Sequence, residues 1–291
     1  MSDDGGRAVS AIGFIGSVFS PWYGWSGRGD PENHVCLNVA TYGPGGRFCM
    51  TDRGRSALRR GRDALEIGPS RMRWSGGRLV VEVDEVAAPP QIGRLRGRIL
   101  LEPAAVTGIE MVLDGEGAHV WRPFAPAARV VVELGDGNTW RGHGYLDSNF
   151  GTRPLETDFS HWSWARFPVP GGAVAYYEAL GRDGQRRGAA IRFTDGAAQE
   201  MAMPDPAPLP RTLWGLRRSI PAAPGVTPRQ HLSMLDSPFY CRAAVASRID
   251  GAERIGVHET LDLNRFRAPW LKPMLAMRVP RRARWPRAGT A

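Results

Sequence analysis

Cysteine is scarce in this 291-residue chain: Cys36, Cys49 and Cys241 stand apart, with no Cys-x-x-Cys and no histidine at zinc spacing. That excludes a disulfide framework or a structural zinc knot as the organising device. A Cys36–Cys49 bridge between adjacent strands is the one pairing open to it; the simpler expectation is three reduced, buried, inert thiols in a reducing compartment. Lysine is scarcer still. Of 38 basic residues only Lys272 is lysine, the rest being arginine, and the net charge is +9. Long apolar runs are missing as well. The stretch 8–19 is broken by Gly13 and Gly16 and preceded by Asp3 and Asp4, which suits neither a signal peptide nor a membrane span of ~20 residues. No Gly-x-Ser-x-Gly elbow, P-loop or dinucleotide fingerprint occurs. Helical periodicity is nearly absent.

What the chain has instead is alternation at period two, punctuated by turn residues, and 36 glycines with 24 prolines suit many short strands. Residues 34–42 alternate Val35, Leu37 and Val39 against Cys36, Asn38 and Ala40. Segments 71–74 and 79–86 flank Ser75-Gly76-Gly77, a hairpin signal, and 94–102 follows as a strand. Segments 130–134 and 139–145 meet across Gly135-Asp136-Gly137-Asn138. Segments 162–167 and 173–179 meet at Pro170-Gly171-Gly172, with 188–193 next, and 242–249 meets 254–263 at Asp250-Gly251. The fold class expected is all-β, a barrel or sandwich. So many strands suggest two barrel-like halves, 1–125 and 126–263, divided near Pro123-Phe-Ala-Pro-Ala127, with few short helices and a basic tail at 264–291.

The segment richest in chemistry is Trp140-Arg-Gly-His-Gly-Tyr-Leu-Asp-Ser-Asn-Phe-Gly151, with His119-Val-Trp121 upstream. Asp147 follows Tyr145 by two, so on a strand both side chains face one way, and His119 and Trp121 are related likewise. A carboxyl desolvated among aromatic rings stays protonated near neutrality and serves as a general acid. Trp121 and Tyr145 would stabilise a cation by about 2 kcal/mol per ring. Beside this stands the plainer reading: Asp147 as a turn or salt-bridge carboxylate, His119 as a structural histidine, Trp121, Trp140, Trp162 and Trp164 as core. A metal site from His119, His143 and Asp147 lacks any supporting spacing, so no metal is expected.

These residues, together with Ile15-Gly-Ser-Val-Phe-Ser-Pro-Trp-Tyr23, Gly27-Arg-Gly-Asp-Pro31, His34-Val-Cys-Leu-Asn-Val39, Ala125-Pro-Ala-Ala-Arg-Val130, Pro154-Leu-Glu156 and His258-Glu-Thr-Leu261, give the chain a specific resemblance over nearly its whole length. It resembles the carotenoid 1,2-hydratase (hydroxyneurosporene synthase) family of phototrophic bacteria. The resemblance implies a lipocalin-like, two-part β fold with an apolar tunnel. It also implies addition of water across the terminal C1–C2 double bond of an acyclic carotene (neurosporene, lycopene or their monohydroxy derivatives), with no cofactor. The family's acid falls on Asp147, its His-x-Trp on His119 and Trp121, and its aromatic partner on Tyr145. Trp162, Trp164 and Phe159 are candidate walls for the polyene. The contrasting class is a lipocalin-like carrier that binds an apolar isoprenoid unchanged.

After Asp262 no acidic residue follows, while arginines and Lys272 interleave with Trp270, Leu271, Met274, Leu275, Met277 and Trp285. Such a segment suits an anionic lipid surface, and the alternative is a solvated basic tail. Nucleic acid is the weaker partner, since no binding motif accompanies the charge. The expected location is cytoplasmic, peripheral to the photosynthetic membrane. Oligomeric state cannot be read from the sequence.

Overall fold

The structure, a computed structural model, describes residues 1–135 and 139–285; the middle of the expected turn at 135–138 and the last residues of the basic tail lie outside them. The fold is the expected all-β one, with few short helices. The chain divides into two compact units. The first comprises residues 1–102, 129–142 and 269–291, the second residues 103–128 and 143–268.

In the first unit Ala8–Ile15 pairs antiparallel with Val35–Tyr42 along its whole length. The expected hairpin at Ser75-Gly76-Gly77 joins Ser70–Ser75 to Arg78–Ala87, and both glycines take positive φ, as a two-residue turn that follows strand twist requires. Arg78–Ala87 then pairs with Gly93–Pro103. Gly97 has φ +142, and a Cβ there would fall 1.9 Å from the Glu133 carbonyl oxygen, so only glycine lets these backbones meet. Leu37, Val39, Val81, Val83, Leu95, Ile99, Val130 and Val132 form the core. The alternation read in Val35–Tyr42 does not separate a wet face from a dry one. Cys36 and Ala40 are buried too, and Cys36 packs with Met50, Val279, Phe14 and Trp22 in a second cluster.

The carboxy-terminal segment is part of this unit. Helix Leu271–Arg278 buries Leu271, Trp22 donates its indole N–H to the Val279 carbonyl (2.7 Å), and Arg281–Arg282 pairs in parallel with Asp52–Arg53. Arg281 hydrogen-bonds Asp52, His34 and the Asn33 carbonyl. All three cysteines are free and buried, and burial pushes the Cys49 thiol up to about 12.

The second unit is built on a seven-stranded antiparallel sheet, in the order Ala197–Met201, Arg186–Thr194, Gly172–Gly181, Phe159–Val169, Ala252–Asp262, Tyr240–Ile249, Arg229–Asp236. Its tight turns are the expected ones: Gly171 has φ +72, and Asp250 and Gly251 have φ +52 and +76. One face carries Ala165, Phe167, Val174, Tyr176, Ala243 and Val245 against Leu209 and Ile220 of the small Pro206–Leu209/Arg218–Pro221 hairpin. The opposite face is of another kind. Cross-strand register places Tyr177, Trp164, Glu259 and Arg242 in one row, flanked by Ala179, Trp162, Leu261 and Tyr240 in the next. Alanines opposite Trp162 and Arg166 leave volume for those side chains.

Candidate active site

Two strands supply the residues that meet this second face, His119–Leu134 at its beginning and Thr139–Gly151 at its end. Alternation on each does what the sequence suggests. His119 and Trp121 point one way, and Tyr145, Asp147 and Asn149 share a side. Trp121 Nε1 donates to the Tyr145 hydroxyl at 2.8 Å and to Asp147 Oδ2 at 3.0 Å, and Asn149 Nδ2 donates to the same oxygen at 3.0 Å. Tyr145 also hydrogen-bonds Asp147. The Trp121 ring stacks on Tyr177 (5.8 Å, 21°), and Tyr145 lies against Trp164 (5.0 Å). Asp147 is thus half-buried by surface yet surrounded by an indole, a phenol and an amide.

The electrostatics follow from that setting. Desolvation pushes the Asp147 carboxyl up to about 6, against hydrogen bonds from Tyr145, Asn149 and Trp121 that pull it down, and the charge of Glu259 pushes it further up. Burial likewise raises Tyr145 well above the ordinary phenol value, so it stays a neutral donor. Arg166, buried on the same face, donates to the Pro126 carbonyl (2.9 Å) and to His143 Nδ1 (2.9 Å), and desolvation lowers it to about 10. A neutral carboxylic acid walled by Trp121, Tyr145 and Trp164 can deliver a proton to an alkene and face the cation that results.

His119 is placed differently. It is buried, its Nε2 lies 2.6 Å from Asp158 Oδ2, its ring packs on Phe159 at 5.0 Å, and Arg153 donates to the same Asp158 oxygen at 3.0 Å. Asp114 caps the preceding turn by accepting from the N–H groups of Gly117, Ala118 and His119. Asp114, His119 and Asp158 offer ligand atoms within 4.8 Å of one another, but Arg153 already pairs with both carboxylates. His119, His143 and Asp147 have separate partners, in Asp158, Arg166 and Trp121 respectively. Of the candidate walls, Trp164 touches Tyr145 and Trp162 edges Tyr177 (5.8 Å). A β-bulge between Phe159 and His161 resets the alternation, leaving Phe159 behind His119. Sequence reading missed Tyr177, Arg166, Asp158 and Glu259. Glu259 alone had a signal, as an acid set between Val257 and Leu261 on one side of its strand.

The family model described as "Carotenoid hydratase CrtC" matches residues 11–288. The chain belongs to the CrtC carotenoid hydratase family. Among its relatives, the acyclic carotenoid 1,2-hydratase of Cereibacter sphaeroides is 56% identical over 94% of this chain and 99% of its own length. The protein of that name from Rhodobacter capsulatus is 52% identical over 94% and 98%. Those from Thiocapsa roseopersicina and Rubrivivax gelatinosus are each 43% identical, covering 71% and 72% of the longer proteins. Among solved structures, CghA resembles this CrtC-family chain with a TM-score of 0.59 at 11% identity, over 90% of this chain and 86% of CghA, a likeness of fold alone.

Proposed function

We propose that Asp147, held neutral, protonates C2 of the terminal isopropylidene group of an acyclic carotene, and that water captures the tertiary cation at C1. The activity is that of a carotenoid 1,2-hydratase, a hydro-lyase whose product is a 1-hydroxy carotenoid. The observation that carries the reading is the company Asp147 keeps: its hydrogen bonds come from Trp121, Tyr145 and Asn149, and aromatic faces surround it. The Trp121 and Tyr145 rings blunt the cation's energy by about 2 kcal/mol each when desolvated. Trp121 and Asn149 aim the acid, and His119, through Asp158, fixes the start of the strand that presents Trp121. Trp162 and Trp164 flank the polyene, and Phe159 backs His119. A carrier of an apolar isoprenoid is not favoured, since it has no use for a raised acid.

The test is anaerobic incubation with lycopene or neurosporene in liposomes containing H₂¹⁸O, read by mass spectrometry. The product should gain one water bearing the label, while pigment returned unaltered would sink the reading. The pH profile carries a sign. The active form of Asp147 is the protonated one, so the chemical step should lose rate as pH rises through about 6. A single-turnover profile flat from pH 5 to 8 would contradict that role.

Carotenes dissolve in bilayers, so extraction requires a membrane encounter, and the basic segment 264–287 is the proposed docking element. Trp270 and Met277 are exposed there, at 55% and 73%, on the stretch that carries Lys272, and among the described residues no helix is long and apolar enough to cross a membrane. Because Leu271, Val279 and Arg281 belong to the fold, point changes test this better than truncation. Trp270→Ser with Met277→Ser should cut sedimentation with phosphatidylglycerol vesicles several-fold, each basic residue near the surface contributing about 1 kcal/mol. Unchanged sedimentation would rule the segment out.

A further inference from the structure

Hydration needs a second proton transfer. Once water has bonded to C1, the oxonium must lose a proton, and the acid that protonated C2 is by then a carboxylate on the C2 side. His119, the histidine of the family pattern, is turned to Asp158 at 2.6 Å. A second carboxylate lies on the site's own face. Glu259 sits directly opposite Trp164 in the ladder, Trp164 packs on Tyr145, and the Glu259 charge acts on both Tyr145 and Asp147.

Glu259 is held as an acceptor. Tyr240 donates to its Oε2 at 2.8 Å and Arg242 Nε to its Oε1 at 2.7 Å, both from the next strand, and the side chains of Glu259 and Arg242 are 15% and 10% exposed. Two donors leave the carboxylate with lone pairs for a further hydrogen bond. Beside it, the buried Trp164 Nε1–H has no hydrogen-bond partner. Glu259 therefore keeps an acceptor site on the face that carries Trp164. Asp147 lies among aromatic rings, whereas Glu259 lies beside the Arg242 guanidinium.

We propose that Glu259, fixed by Tyr240 and Arg242, is the proton acceptor for the water that captures the C1 cation; this rests on the hydratase reading above. The balance is simple. The Asp147 O–H bond breaks and a C2–H bond forms. Water forms the C1–O bond, and its surplus proton passes to Glu259. Transfer of that proton back to Asp147, directly or through water, restores both groups, so the net change is one water added.

The test is Glu259→Gln assayed in D₂O with lycopene liposomes, following alcohol formation and deuterium in the recovered carotene separately. Gln still accepts from Tyr240 or Arg242. Hydration should fall at least ~100-fold, the usual worth of a general base, while deuterium still enters unhydrated carotene, because Asp147 protonates C2 and takes a proton back. Glu259→Asp, which keeps the charge, should recover part of the rate. Unchanged hydration in Glu259→Gln would overturn the proposal. So would parallel loss of hydration and exchange in both variants, which assigns Glu259 a structural role. Asp147→Asn should lose both signals, and a wild type that neither hydrates nor exchanges would sink the hydratase reading itself.

Discussion

Replacing Asp147 with Asn should lower hydration by about 10²- to 10⁴-fold, the range a positioned general acid supplies, with lycopene still bound. The amide has nearly the same shape and its oxygen can accept from Trp121, so the aromatic nest stays in place. The same substitution should make the protein more stable above neutrality. Asp147 is raised in the folded state to about 6, so the folded protein favours its neutral form. That favourable contribution is full below the unfolded value near 4 and is lost as pH rises through about 6. The asparagine variant suffers no such loss and should gain on the order of 2–3 kcal/mol at pH 8. Urea titrations of both proteins at pH 5 and 8 check this. A variant less stable than wild type at pH 8 would mean that Asp147 is a structural ion, not a desolvated acid.

The largest stability effect should come from the first unit. Arg53 and Glu85 form an ion pair at 2.6 Å with side chains 4% and 0% exposed, Ser70 donates to the other Glu85 oxygen at 2.9 Å, and Arg53 NH1 reaches the Thr51 carbonyl. Burial already raises Glu85, with Arg53 opposing it. Arg53→Met removes the opposition and strands a carboxylate in the core, so it should cost about 3–5 kcal/mol. Arg53→Met combined with Glu85→Leu should recover most of that, because the attraction of a buried pair largely offsets its own desolvation. A double variant as unstable as the single one would show that packing around Arg53, not the charge of Glu85, sets the cost.

Much of this is legible in the sequence. The hairpins at Ser75-Gly76-Gly77 and Asp250-Gly251 announce themselves because a tight turn demands residues tolerant of positive φ at fixed positions. Tyr145 and Asp147 share a side because period-two alternation is a local property. Partnership across the sheet is not local. Nothing near His119 in the chain says that Asp158 will hold its ring, and nothing near Asp147 says that the charge of Glu259 will reach it. These depend on strand order and register, which distant segments settle together. Burial on both faces of Val35–Tyr42 escaped for the same reason, since its polar-looking side is covered by the second cluster around Met50 and Val279.

The parallel pairing of Arg281–Arg282 with Asp52–Arg53 bears on the order in which the molecule is made. The first unit needs residues from both ends of the chain, whereas the second is complete by residue 268. During synthesis the amino-terminal strands emerge early and must wait, with Asp52 lacking Arg281 and Cys36 lacking the cover of Val279, until residues 279–282 leave the ribosome. The later-made unit can therefore finish first. Nascent chains stalled short of Pro280 should expose the Cys36 thiol to alkylation, and chains long enough to release residues 279–282 should close it.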